Sequence, residues 1–282
     1  MPTVLDTLQK GTDFLEKHGV EEARLNMQHL IAHTLKCDRM QLYVDFDRPL
    51  EEPDLEKLRG LTKRRANGEP LQHLLGTVEF CDLTFKTDER ALVPRPETEE
   101  LVSKLLKVKS WPNPCRILDM GCGSGVIGLA LAKKIDGAQV TLADLSPEAL
   151  ALAGENAAVL ELEPTMTESD LFSAIEGTFD LIVANLPYIP EAEITALSRE
   201  VQNDPVTALA GGESGLEIME RFLAEAPGHL SENGKIAMEF GIDQADALVK
   251  LADHSGFSDI KVAADLGGID RFLFAVKSNG SN

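Results

Sequence analysis

The stretch Asp119-Met120-Gly121-Cys122-Gly123-Ser124-Gly125-Val126-Ile127-Gly128 constrains this chain more than any other, because of what flanks it. Ile117-Leu118-Asp119 reads as the end of a buried strand, and Val126 to Lys134 carries apolar residues at helical spacing. Closely set glycines let a backbone turn sharply and bring its N–H groups near a ligand at a helix N-terminus. The alternation then continues, with a strand at Val140 to Asp144, a helix at Pro147 to Leu160, and strands at Phe179 to Ala184, Lys235 to Phe240 and Arg271 to Val276. This is the rhythm of an α/β fold with a doubly wound, mostly parallel sheet. In such sheets ligands gather at the carboxyl ends of the strands.

Two ligands compete for the loop. Gly123 to Gly128 satisfies G-x-G-x-x-G, and Asp144 ends the next strand at the distance expected of a ribose-binding acid, which is the pattern of a dinucleotide site. Against it, Asp119 stands where a carboxylate repels a pyrophosphate but helps to hold the ammonium end of an amino acid. The additional Gly121 gives D-x-G-x-G-x-G, the form associated with S-adenosylmethionine, a donor with a sulfonium, an amino-acid tail and a ribose diol but no phosphate. Asp144 accepts from the ribose hydroxyls in either case. Ser169-Asp170-Leu171-Phe172 follows the third strand region and flanks an adenine, with Asp170 accepting from its amino group and Leu171 packing on the ring. Burial in the core is an equal claim on Leu171 and Phe172.

Asn185-Leu186-Pro187-Tyr188 follows the apolar run Phe179 to Ala184, and its proline forbids further strand pairing. A buried strand thus delivers an amide side chain and an aromatic to its carboxyl end. Asn185 gives and takes hydrogen bonds with a planar amide or amidine, and Tyr188 can cover that group's flat face. A strand ending in a proline turn is the plain alternative.

Before the α/β region, apolar residues recur at helical intervals from Thr3 to about Leu61: Leu5, Leu8 and Leu15, then Ala23, Met27, Leu30, Ile31 and Leu35, then Leu55, Leu58 and Leu61. Gly19 ends the first helical segment and Pro53 falls in a first turn. Lys63-Arg64-Arg65 is the one basic run and reads as a solvated helix end that complements the helix dipole. Gly68 and Pro70 break the helical pattern, and Thr77 to Lys86 alternates as a hairpin. The expected division is therefore a helical bundle at 1–71, a linker hairpin at 72–95 and the α/β domain at 96–282. Leu92 to Glu99, with Pro94-Arg95-Pro96, reads as a stiff lead-in to a helix. Ser278 to Asn282 is expected to fray.

Charge narrows the partners. Lys and Arg total 27 against 47 Asp and Glu, a net charge of −20 that opposes close contact with phosphate backbones. No direct nucleic-acid contact is expected. The N-terminus carries no basic segment followed by an apolar core, and no run reaches transmembrane length, so a cytoplasmic protein off the membrane is expected, acting as a monomer. Cys37, Cys81, Cys115 and Cys122 have neither metal-ligand nor disulfide spacing and are expected to be buried thiols, with no metal site.

The motifs taken together resemble those of the peptide chain release factor glutamine methyltransferases. The likeness runs through Glu69 to Gly76, Phe85-Lys86, Leu92 to Glu99, the glycine loop, Asn185 to Tyr188, Asp204 to Leu209 and Gly211 to Leu216, nearly the full chain. It implies a class I methyltransferase domain with a Rossmann-like seven-stranded sheet, S-adenosylmethionine as donor and a small N-terminal helical bundle that binds substrate. It implies methylation of the side-chain nitrogen of the glutamine in the Gly-Gly-Gln loop of a release factor. Donor contacts are implied for Gly121, Cys122, Gly123, Ser124, Gly125, Asp144, Leu171 and Asn185, beside Asp119 and Asp170 read above. Catalytic and substrate contacts are implied for Asn185, Leu186, Pro187 and Tyr188. The family pattern is Asn-Pro-Pro-Tyr, and Leu186 departs from it; a backbone carbonyl carries that position's role, so rigidity is lost and no functional group. The rival activities are amino-methylation of adenine in DNA, where Asn-x-Pro-Tyr can grip an exocyclic amine, another protein glutamine methyltransferase, a dinucleotide oxidoreductase, and a non-catalytic binding module.

Overall fold

A computed structural model describes residues 1–108 and 110–278, and the chain forms two compact units, Met1–Thr77 with Leu197–Asn203, and Val78–Ala196 with Asp204–Asn282. The hairpin thus groups with the α/β unit, and seven residues from late in the chain group with the helical one.

In the first unit α1 (Val4–Lys17) begins at Thr3, whose hydroxyl accepts from the Asp6 N–H while the Asp6 carboxylate accepts from the Thr3 N–H. α2 (Ala23–Leu35), α3 (Glu52–Ala66) and the short α4 (Leu71–Leu75) follow, with Pro53 in the first turn of α3. Leu8, Met27, Leu30, Ile31, Leu42 and Leu58 form the core. Leu5, placed on the apolar face from its spacing, is instead exposed. Arg65 also departs from the solvated helix end expected of it: its buried guanidinium donates to the Asn26 side chain (2.7 Å), the Glu69 carbonyl (3.0 Å) and the Glu200 carboxylate (2.5 Å). A charge is taken out of water there because each nitrogen of the guanidinium meets an acceptor.

The second unit opens with the hairpin β1 (Thr77–Phe80) and β2 (Leu83–Lys86), then α5 (Pro96–Leu106), β3 (Cys115–Met120), α6 (Val126–Lys134), β4 (Ala138–Asp144), α7 (Pro147–Val159), β5 (Thr165–Glu168) and β6 (Phe179–Asn185). It closes with α8 (Glu217–Glu225), β7 (Leu230–Glu239), α9 (Ala245–His254), β8 (Phe257–Ala264) and β9 (Asp270–Lys277). Seven strands make one sheet in the order β5-β4-β3-β6-β7-β9-β8, parallel from β5 through β7, with β9 antiparallel to both of its neighbours. The sheet's core lies on both faces: Leu101, Leu105, Leu129 and Ala153 of α5 to α7 belong to one cluster, and Met219, Phe222 and Leu248 of α8 and α9 to the other. This is the doubly wound class I methyltransferase arrangement.

Cys81, Cys115 and Cys122 are buried, whereas Cys37 is half-buried, short of the burial expected of it. Ser278, expected to fray, donates its N–H to the Gly256 carbonyl at 2.9 Å; the rest of the expected tail lies outside the described residues. Among the described residues no helix is long and apolar enough to cross a membrane.

Candidate active site

The strand order reverses between β3 and β6, the topological switch point at which open α/β sheets bind ligands. Strand register lines up the chemistry. Ala143 pairs with Met120 and Met120 with Ala184, so Asp144, Gly121 and Asn185 occupy the next row, and Glu239 of β7 pairs with Asn185 at its end. Beyond that row lies a cavity of about 600 Å³.

Ten of the sequence-predicted residues line this cavity: Gly121, Cys122, Gly123 and Ser124 of the loop, Asp144, Asp170 and Leu171, and Asn185, Leu186 and Pro187. The carboxylate of Asp144 is held from two sides, accepting from the Gly123 N–H at 2.8 Å and the Ser146 N–H at 2.9 Å. Leu171 takes a left-handed backbone (φ 46°), with its carbonyl accepting from the buried Ser169 hydroxyl at 2.6 Å. That is strain of the kind found at ligand clamps. Asp170 pairs with Arg221 at 3.0 Å, so its carboxylate is shared with a guanidinium that also lines the cavity. Phe172 turns away and stacks between Phe222 and His229 in the core.

Three expected residues lie off the wall. Asp119 is fully buried beneath the loop, where one carboxylate oxygen accepts from the Gly128 N–H at 2.7 Å in the first turn of α6 and the other has no hydrogen-bond partner among the described residues. Burial pushes this carboxyl up to about 7, against the lowering by the Gly128 N–H. That bond ties the end of β3 to the first turn of α6, the positive end of the helix dipole. Gly125 is the N-cap of α6, packed near Ala153 and Leu129. Tyr188 is half-buried, with its ring against Gly241 and its carbonyl accepting from Gln244 at 3.0 Å; burial, with Glu239 nearby, pushes its phenol up to about 12.

Leu186 stands where the family pattern has proline, and packing holds it. It is buried, and a Cβ added at Gly121 (φ 68°) would come within 2.9 Å of its Cδ2. The loop glycine and the leucine therefore fit one another. The segment after Asp204 braces the same turn: Ile189 donates to the Leu209 carbonyl (3.0 Å) and accepts from the Gly211 N–H (2.9 Å). Gly211 has no room for a side chain, since a Cβ there would lie 2.7 Å from the Pro187 oxygen.

Besides Arg221 and Glu148, other polar residues of the site were not expected as site residues from sequence. Thr98 lines the cavity; its hydroxyl accepts from the Asn185 amide at 3.0 Å and donates to the Glu239 carboxylate at 2.7 Å, both Thr98 and Glu239 being buried. Burial lifts Glu239 to about 7. A lone acid closing the apolar run Ile236-Ala237-Met238 was the available signal. Arg90 lines the cavity, tied to Asp88 and Glu155, and buried Asp204 accepts from Arg95 (2.6 Å) and from the Val93 N–H (3.3 Å).

These features fit S-adenosylmethionine. A side chain at Gly123, which is open apart from Ala91 at 3.8 Å, would fill space that a ligand can use. Of the wall carboxylates, Asp170 is paired with Arg221, while Asp144 at its strand end and Glu148 suit a cationic donor with a ribose. Among the described residues no cluster of three His, Cys, Asp or Glu could hold a metal ion.

Comparison with known proteins agrees with this chemistry. Residues 6–76 match the PrmC N-terminal domain and residues 97–201 the methyltransferase small domain. A release factor glutamine methyltransferase of Geobacter sulfurreducens is 42% identical over 96% of this chain and 95% of its own length. One from Rhodopirellula baltica is 37% identical over 98% and 97%. The crystal structure of a methyltransferase from Pyrococcus furiosus superposes with a TM-score of 0.54 at 20% identity, over 69% of this chain and 89% of that one, a likeness of fold. With its sheet, its glycine loop and near-full-length identity of this order, the chain belongs to the release factor glutamine methyltransferase family.

Proposed function

We propose that this enzyme transfers a methyl group from S-adenosylmethionine to the side-chain amide nitrogen of the glutamine in a release factor's Gly-Gly-Gln loop. One observation carries the reading: Asn185, Leu186 and Pro187 line the same cavity as the glycine loop and Asp144. The donor's contribution, when bound, is a methyl group on a positively charged sulfur. Gly121, Gly123 and Asp144 would hold its amino-acid and ribose ends, and Leu171 its adenine. An amide nitrogen is a poor nucleophile because its lone pair is delocalised. The Asn185 side-chain oxygen and the Leu186 carbonyl would accept its two N–H bonds, orient the nitrogen and favour positive charge developing on it. Packing of Leu186 against Gly121 would supply the rigidity that proline supplies elsewhere. Tyr188 would hold the turn from below the cavity, braced on Gly241.

In this reading the helical residues 1–71 bind the protein substrate, and the α/β unit from Val78, with the hairpin and the cavity-lining Arg90, Ala91, Leu92 and Pro94 that were expected only to link, carries the chemistry. A net charge of −20 suits a basic substrate that itself binds ribosomal RNA. The enzyme acts as a monomer in the cytoplasm without touching nucleic acid. The test is transfer of labelled methyl from S-adenosylmethionine to purified release factor carrying Gln or Ala in its Gly-Gly-Gln loop. Label is expected on the Gln form alone. Equal labelling of both forms, or of DNA in place of protein, overturns the reading.

A further inference from the structure

We infer that Thr98 and Glu239 are positioning residues that hold Asn185 as a pure hydrogen-bond acceptor toward the cavity, so that the site takes the nitrogen end of a primary amide and rejects its oxygen end. The inference rests on the function proposed above and adds the means by which the site tells the two ends of an amide apart.

An asparagine amide has a donating end and an accepting end of nearly equal size, and a half-turn about its last side-chain bond exchanges them. Facing a substrate amide, one orientation accepts from nitrogen and the other donates to oxygen. The Thr98 hydroxyl has a single proton, and it goes to the Glu239 carboxylate at 2.7 Å. Thr98 can then only accept, and it accepts from Asn185 Nδ2 at 3.0 Å. Glu239 is also the register partner of Asn185 on the neighbouring strand. Thr98 thus acts on the nitrogen end, and turning the amide over would set its oxygen against a hydroxyl whose one proton is already given to Glu239. Oδ1 of Asn185 is what remains for the cavity. Thr98 and Glu239 are both buried, which strengthens the bond between them.

The direction depends on the charge of Glu239. Protonated, Glu239 can donate to Thr98, which frees the Thr98 proton for the Asn185 oxygen and releases the amide to turn. The groups facing Glu239 are Glu97 of α5, which raises its affinity for a proton, Arg271 of β9, which lowers it, and Tyr188 from the turn after β6. Burial is the largest influence and holds the carboxyl near 7, so the acceptor orientation is set above neutrality and is lost as pH falls through that value.

The experiment measures kcat, KM and donor dissociation constant for Thr98→Val, Thr98→Ser and Glu239→Gln with the release factor that the wild-type enzyme labels, across about pH 6 to 9. Thr98→Val is expected to lower kcat about 10- to 100-fold with donor affinity within about twofold of wild type, and Thr98→Ser to stay within about threefold in kcat. Glu239→Gln is expected to lower kcat and to abolish the fall in rate on the acid side of neutrality. Three results overturn the inference: Thr98→Val with wild-type kcat, Thr98→Ser as slow as Thr98→Val, or an unchanged acid limb in Glu239→Gln. Loss of donor binding in parallel with kcat would also overturn it, since it marks a merely structural role. Failure of the wild-type enzyme to label the glutamine form counts against the proposed function; wild-type labelling with indifferent variants counts against this inference alone.

Discussion

Asn185 and Gly121 occupy the same row at the end of the sheet, yet they face different demands. Asn185 would act on the acceptor substrate, so Asn185→Ala is expected to cut methyl transfer by about 10²- to 10³-fold while donor binding survives; labelled transfer beside a calorimetric titration checks both, and near-normal turnover would remove the residue from the mechanism. Gly121 adopts φ 68° and leaves no space before Leu186. Gly121→Ala is therefore expected to cost about 1–3 kcal/mol in backbone strain and contact, lowering both the melting temperature and the donor affinity. A variant that melts and binds like wild type would show that the loop and Leu186 are not fitted together. Asp119 illustrates a residue whose type was legible and whose place was not. Its carboxylate was expected beside a ligand's ammonium, and it lies under the loop at the first turn of α6 instead.

At the scale of elements, the rim of the site is held by loops and not by the sheet. Asp204 is buried and ties the segment ahead of α5 to its own loop through Arg95 and the Val93 N–H. Pro94 and Pro205, each next to one of these partners, line the cavity. Asp204→Ala leaves a guanidinium and an N–H without their acceptor. The expected cost is about 2–4 kcal/mol, moderated because the Arg95 side chain is 29% exposed. Denaturant unfolding measures it, and donor affinity should weaken with it. A loss under about 0.5 kcal/mol, the level of an ordinary surface substitution, would show that water replaces the pair.

At the scale of the molecule, pH acts through two buried carboxyls. Asp119 and Glu239 are each raised to about 7 by burial, from 3.8 and 4.5. Between those ordinary values and about 7 the folded chain binds more protons than the unfolded one, so this contribution to stability falls as pH rises through the window. Glu217 and Asp265 run the other way: backbone N–H groups hold them low, and the stability they add is lost as pH falls through their depressed values. Glu239→Gln and Asp119→Asn are accordingly expected to gain in melting temperature relative to wild type between about pH 5 and pH 8, because neither side chain must ionise in the core. An offset equal at both pH values would show that neither carboxyl titrates in that window. For Glu239 the same substitution costs activity, the trade expected where a functional site keeps a group that the core does not favour.

The strand–helix alternation, the glycine loop, the bounds of α6, and Asp144 and Asn185 as strand-end residues were determined by the sequence, because periodicity, glycine freedom and proline's missing N–H are local rules. β8, an edge strand with a single buried residue, gave no such pattern and was found only in the folded chain. The tertiary structure alone decided which side chains meet. Thr98 reads locally as part of a helix start and Glu239 as a lone acid in a strand, yet Thr98 bonds Asn185, 87 residues away, and Glu239, 141 residues away. Packing brings those three together, and no local rule reaches that far; it is there that an amide at the end of a strand acquires a direction.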